Sequence, residues 1–499
     1  MEQNNNTYEL KLPPDNHWII KPIDSDVDIF KFSGAWNSSI YGLFWQFNKK
    51  IQQNISVLDF SECIVNDDEF ILYPNFPELE KIILPTTLNH CSLYIYSQKL
   101  RHIIFPEKVK SISLGFDSDL ISEIELPESV ETLYLGKISG LRTLKIGKNL
   151  KKINGDAFAN CQDLERLEIS TENKYLTLEN NVIYDNQTKT IVASFFNKDS
   201  MKQITVPYGI ESIGEKAFKG SPIEQIFLPE TLKTINDHAF ESCKSLISIV
   251  IPDSVTTIGR DAFNGCTNLQ TLRLSNSIKK LDKIIAGDCR NLKQIFLPEQ
   301  LQFIYPDFFT FVNSTQELQV IISEKNNYYK VIDGIMYSKD LKTLEVVINK
   351  NEKAYNIADG VEIIGPEAFC MCHGLEQIDL PDTVIEIQAE AFSSCRNLTR
   401  IRFGKNLKSF AVSAIKNDNK IKELIITGPE PPRITGDLIY EYFNYDEDLQ
   451  HLPIYRVTEE DIRDYWNKFK MISDKNFSMY DLQKKIQEET DKLLQQIPS

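Results

Sequence analysis

The sequence predicts a strand-dominated α/β solenoid of short coils with a cap at each end. Three observations carry that expectation: the phrase Ala-Phe-x-x-Cys recurs, apolar residues two apart precede each copy, and an apolar-x-Pro punctuation keeps a steady step. The step is 21 to 23 residues. Pro85, Pro106 and Pro127 open the series, Pro207, Pro229, Pro252, Ser275 and Pro298 continue it, and Ala358, Pro381 and Gly404 close it. A coil of this size cannot bury its own apolar side, so it becomes stable only when stacked on neighbours.

Each position of the unit has a physical reading, clearest in the copy Leu246 through Asn268. Ile249 and Ile251 lie two apart, so both point to one side of a short strand while Val250 points to the other. Proline ends that strand by removing a donor. The Val-x-x-Ile segment then crosses back, and Ala-Phe turns inward where the coil closes. Stacked coils place Phe158, Phe218, Phe240, Phe263, Phe369 and Phe392 in one column, each ring burying about 150–250 Å².

Phrases such as "LISIVIPDSVTTIGRDAFNGCTNL" and "LEQIDLPDTVIEIQAEAFSSCRNL" closely resemble the BspA-like, Treponema-type leucine-rich repeats, over roughly residues 76 to 430. The resemblance implies a leucine-rich-repeat right-handed superhelix. It also implies a family associated with protein binding and, in surface-exposed members, with adhesion to host or bacterial partners.

Six of the nine cysteines, Cys161, Cys243, Cys266, Cys289, Cys372 and Cys395, stand three residues after the Phe position. At Cys289 that position is Ala286. A free cysteine is a small, well-buried hydrophobe with a weak donor, suited to a tight turn. The expectation is therefore free, buried thiols rather than a disulfide framework. "CMCH" (370–373) lacks a second ligand pair and does not read as a metal site. No nucleophile elbow, zinc-protease helix or phosphate loop appears either, so no enzyme and no cofactor are expected.

Two segments break the rhythm, near 171–200 and 324–353, and they match each other at Asn173/Asn326, Tyr175/Tyr328, Tyr184/Tyr337 and Lys189/Lys342 with a constant offset of 153. That offset points to duplication of a block of repeats. Asp333-Gly334 between apolar runs signals a hairpin turn. Each segment is expected to carry a hairpin protruding from an enlarged coil, as a contact site or as simple expansion.

The ends read as caps. Residues 1–75 form the expected N-terminal cap, with Ile40, Leu43, Phe44, Phe47 and Ile51 at helical spacing before a first strand. Residues 431–499 form the expected C-terminal cap, with a strand, a helix opening at Thr458 and an amphipathic helix at 479–497. That last helix docks on the cap or pairs with another chain; docking, and so a monomer, is the expectation.

A net charge of −16 and a pI near 5.1 oppose binding to nucleic acid or to an anionic membrane, which both require a basic footprint. No run long enough to cross a bilayer and no leader are seen, so the chain reads as cytoplasmic as it stands, or as surface-exposed or secreted if a signal has been removed. The functional expectation is a non-enzymatic scaffold for a protein partner. The alternatives are an adhesin recognising a protein or glycan, and an activity housed in the irregular ends.

One surface is nominated for the partner. At the outward strand position, Phe227, Val250 and Phe296 put apolar groups around Arg273, and Gln225, Ser248, Thr271 and Gln294 supply a hydrogen-bonding rim. The same residues also suit a strand by propensity alone.

Overall fold

The computed structural model describes residues 7–12, 27–36 and, with short breaks, 54–435. The expected helix at 39–51 and the expected strand-helix end beyond 435 lie outside the described residues. The chain divides into two compact units, Met1–Thr267 and Asn268–Ser499.

The first unit is a stack of parallel strands. Thr7–Leu12, Ile29–Trp36, Val57–Val65, Lys81–Ile83 and His102–Ile104 pair in that order, all parallel. The described part of the first 75 residues is thus built from the same stacking as the coils that follow. A second ladder joins Glu69–Leu72, His90–Ile95, Ser111–Asp117, Thr132–Ser139 and Lys152–Ile153. Further along, the Leu-x-x-Ile strands Gln203–Thr205, Gln225–Phe227 and Ser248–Val250 lie side by side. Leu246, Ile249, Ile251 and Val255 are at most 2% exposed. Each such side chain contributes about 1.5–3 kcal/mol by leaving water.

The far side of these later coils is short. Ser212–Ile213, Thr234–Ile235 and Thr257–Ile258 are strands of two residues, paired in parallel. No α-helix occurs among the described residues, where a single turn of 3-10 helix spans Val412–Ile415. The solenoid is therefore a parallel β-solenoid and not the expected α/β one. The segment between Pro252 and Leu269 must cross, turn and return, which leaves no room for the dozen residues that make a helix stable.

A tight turn replaces that helix. In these later coils the residue before the Ala-Phe pair is left-handed, with φ of 57° at Lys216, 58° at His238 and 53° at Asp261. A second left-handed residue comes four later, at Gly220 (71°), Ser242 (59°) and Gly265 (71°), before the cysteine position. The turns themselves form a ladder, since the Phe218 amide donates to the Ala239 carbonyl (2.8 Å) and the Phe240 amide to the Ala262 carbonyl (2.7 Å). Phe218, Phe240 and Phe263 are fully buried and stack face to face at 5.2 and 5.3 Å, both pairs within 5° of parallel.

The second unit repeats the plan. Thr271–Arg273, Gln294–Phe296 and Gln319–Ile321 pair in parallel, as do Ile363–Ile364, Glu386–Ile387 and Ser409–Ala411. Phe369 and Phe392 stack at 5.0 Å. Strand pairing continues to Arg433–Thr435.

Both interruptions are antiparallel hairpins, turning at Asn180-Asn181 (φ 50° and 64°) and at Asp333-Gly334 (47° and 73°). Two consecutive positive φ values are what a two-residue hairpin loop needs. The hairpins do not protrude. Their last strands, Thr190–Ser194 and Thr343–Val347, pair in parallel with the next coils, so each hairpin continues a sheet. Tyr184 and Tyr337 are consequently buried, at 6% and 1% exposure, and present no contact surface.

The duplicated asparagines explain why the pattern recurs. The Asn326 amide nitrogen donates to the carbonyls of Glu299 and Leu301, and its side-chain oxygen accepts from the amides of Tyr328 and Tyr329. Asn173 makes the equivalent four bonds, to Gly147, Leu150, Tyr175 and Leu176. A buried amide with every partner supplied fixes where the coil ends and the hairpin begins.

Candidate functional site

The outward positions of the Leu-x-x-Ile strands follow from the period of two. In the first unit, Gln225 and Phe227 share a strand face, and Gln225 lies in register with Ser248. Phe227 is 51% exposed and Val250 58%, although both are large apolar side chains. In the second unit, Arg273 lies in register with Phe296, and its guanidinium sits over the ring at 5.7 Å. Phe296 is half-buried beneath it. Thr271 pairs with Gln294, whose Nε2 donates to Gln319 Oε1 at 2.8 Å.

The remaining outward residues are mostly charged and paired between coils. Lys145 reaches Glu123 at 2.6 Å and Arg400 reaches Asp379 at 3.0 Å, while Gln203 and Thr205, in register with Gln225 and Phe227, carry no charge. Such exposed pairs contribute little to stability and are weakened by salt. Against that background Phe227 and Val250 stand out as apolar groups with no structural reason to face water.

The column thiols face the other way. Cys243 donates its thiol to the carbonyl of Phe218 (3.0 Å), Cys266 to that of Phe240 (3.1 Å) and Cys395 to that of Phe369 (3.0 Å), in each case one coil back. All nine cysteines are free and buried. Burial pushes the thiols of Cys63, Cys91 and Cys161 up to about 12. For Cys266 the hydrogen bond with Cys243, followed by burial, raises it as well. Cys372 departs from this pattern: burial pushes its thiol up, but hydrogen bonding to Cys395, the Lys350 ammonium and the Tyr355 hydroxyl together hold it below its ordinary value.

Among the described residues no group of three or more His, Cys, Asp or Glu side chains is placed to hold a metal ion. Cys370 and Cys372 are buried beside His373 without a further ligand among them. A hollow of about 410 Å³ bordered by Tyr355, Asn356, Asp379, Asp382 and Arg402 is wide open to solvent, a poor place to exclude water from a reaction. No helix among the described residues is long and apolar enough to cross a membrane.

The sequence reading passed over a second outward face, on the long strands His90–Ile95, Ser111–Asp117 and Thr132–Ser139. The signal was available in "CSLYIYSQ" (91–98), where apolar and tyrosine residues alternate with the period of a strand.

The family described as BspA type leucine-rich repeat region matches the chain in six copies, over residues 65–190, 189–316 and 347–453. No curated protein matches it. Among solved structures, a leucine-rich repeat protein from Eubacterium ventriosum is 19% identical, with a TM-score of 0.48 over 72% of this chain and 88% of that one. One from Bacteroides ovatus is 19% identical, with a TM-score of 0.31 over 83% and 91%. A leucine-rich cell surface protein from Faecalibacterium prausnitzii is 18% identical, with a TM-score of 0.32 over 62% and 88%. The repeat phrase, the stacked coils it builds and the extent of the family match lead to one conclusion: the chain belongs to the BspA-type leucine-rich repeat proteins.

Proposed function

We propose that this protein is a non-enzymatic scaffold that binds another protein through outward positions of its short parallel strands. The observation that carries the reading is the exposure of Phe227 and Val250 on a face whose neighbouring outward residues are the polar Gln203, Thr205, Gln225 and Ser248. An aromatic ring on a rigid strand loses little freedom on binding, and aromatic residues and arginine dominate interface energetics. In the second unit Arg273 over Phe296, beside Gln294, offers a contact of the same chemistry. Repeat scaffolds of this kind present extended surfaces to their partners.

The test begins with affinity capture on the full chain, identification of the retained protein and measurement of its Kd. Phe227→Ala and, separately, Phe296→Ala are each expected to weaken binding by about 2 kcal/mol, roughly thirtyfold, with little change in Tm. Full-strength binding by a correctly folded double variant overturns the assignment.

A further inference from the structure

The coils from Glu69 to Ser139 carry a feature that the core does not require. Register places Tyr94 beside Gly115 and Ser113 beside Tyr134. A Cβ at Gly115 would lie 2.9 Å from the Tyr94 ring, and one at Gly136 would lie 3.3 Å from it. The ring therefore rests across two glycines on adjacent strands. Glycine weakens a strand interior by leaving the backbone free and packing nothing, so a neighbouring pair calls for an explanation.

Other contacts fix the same ring. The Tyr94 hydroxyl shares a hydrogen bond with that of Ser113 at 2.9 Å, and the Tyr73 ring stacks on Tyr94 at 5.1 Å and 15°. Exposed aromatic surface surrounds it, with Tyr73 at 51%, Tyr96 at 61% and Tyr134 at 50%. These rings stand on a rigid sheet, so little ordering is left for a ligand to impose.

We propose that this tyrosine face binds a neutral carbohydrate chain. The face of an aromatic ring is electron-rich, and it attracts the C–H face of a sugar, whose hydrogens are polarised by the neighbouring oxygens. The hydroxyls at the sugar rim require polar partners beside the rings; Ser113 and Asp117 alternate with the core on one strand, and Asn75 bridges to Tyr96. Charge selects among ligands that like aromatic platforms. Single-stranded nucleic acid needs a basic groove as well as rings, whereas the charged groups at the outward positions of these strands are Glu69, Asp117 and Lys137. Lys137 lies 3.7 Å from Asp117, and Glu69 accepts the Ser92 hydroxyl at 2.9 Å. A globular protein partner would call for aliphatic anchors, and Ile71 is the only aliphatic side chain facing outward from Glu69–Leu72 and the three long strands.

Native electrophoresis of the full chain through gels containing a soluble β-glucan, mannan or galactan tests the proposal, with titration against the best of the three. Retardation by at least one polysaccharide is expected. It should weaken about tenfold or more in the Tyr96→Ala, Tyr134→Ala double variant, the consequence of losing roughly 1.4 kcal/mol of stacking. Tyr96→Phe with Tyr134→Phe should retain most of the affinity, because the rings remain. Gly115→Val should weaken it without removing any ring, while Phe227→Ala leaves it unchanged and so separates this face from the protein-binding one. No retardation by any of the three, equal retardation by wild type and the double alanine variant, or binding confined to an oligoproline peptide overturns the carbohydrate assignment.

Discussion

The coils between Glu69 and Ser139 and those between Gln203 and Cys266 close in different ways. In the earlier coils the returning strand has four residues at Glu69–Leu72 and then runs on for six to eight, in His90–Ile95, Ser111–Asp117 and Thr132–Ser139. In the later ones it stops after two, and the Ala-Phe turn takes over. A long strand gives every second residue to the outside, which is how Tyr94, Tyr96 and Tyr134 come to share a face. The tight turn instead places its phenylalanine and cysteine in the core. One coil length thus serves either breadth of surface or cohesion between neighbours, depending on where the strand ends.

The largest expected effect separates these two roles. Phe240→Ala, removing a buried ring stacked on both sides, should cost about 3–5 kcal/mol in urea unfolding, whereas Tyr134→Ala should leave stability almost untouched. Equal effects at both sites would break the comparison. Serine substitution then distinguishes two kinds of buried thiol. Cys266→Ser retains a donor for the Phe240 carbonyl, while Cys91→Ser places a hydroxyl in an apolar strand core, at a cost of about 1–3 kcal/mol.

Alkaline unfolding should show the same burial. With the Cys91 thiol raised from 9.0 to about 12, stability is fully present below pH 9 and declines as pH rises towards 12, because the unfolded chain releases the proton first. Cys63 and Cys161 contribute to the same decline, so Cys91→Ala should make it shallower without abolishing it, and a flat profile in the wild type would contradict the burial of all three. Ser242→Gly is a gentler probe, as Gly220 and Gly265 already occupy the same left-handed position; a gain below about 1 kcal/mol in thermal unfolding is expected.

The smallest effect belongs to the surface ladder. Lys110 and then Lys151 hydrogen-bond Glu131 and hold its carboxyl down to about 2. Any stabilisation from it is present above the ordinary carboxylate range and lost as pH falls towards 2. The group is exposed, so Glu131→Gln should barely move Tm, and added salt should erase the difference.

How far the sequence revealed these features depended on how local their causes are. Phe227 and Val250 facing outward follow from alternation along a strand, and Phe240 facing inward follows from its fixed step. The Asp333-Gly334 turn was legible for the same reason. The left-handed residues were not, because Lys216, His238 and Asp261 share only polarity, and only Gly220 and Gly265 hint at the geometry of the second position. Nor was the burial of Tyr184 and Tyr337, which depends on each hairpin pairing with the coil after it. The guanidinium of Arg273 over Phe296, like the thiol bonds, arises between residues more than twenty apart.

Those thiol bonds bear on how such a chain can change length. Cys243 and Cys266 each fasten to the phenylalanine carbonyl one coil back, and the amides of Phe218 and Phe240 each fasten to the alanine carbonyl one coil ahead. The joint is the same on both sides of a coil, so removing one whole copy brings together ends that already fit. Recombination between copies can therefore add or delete a whole coil while leaving every remaining joint of known form. A loss of any other length would misalign the phenylalanine, the cysteine and both left-handed positions at once.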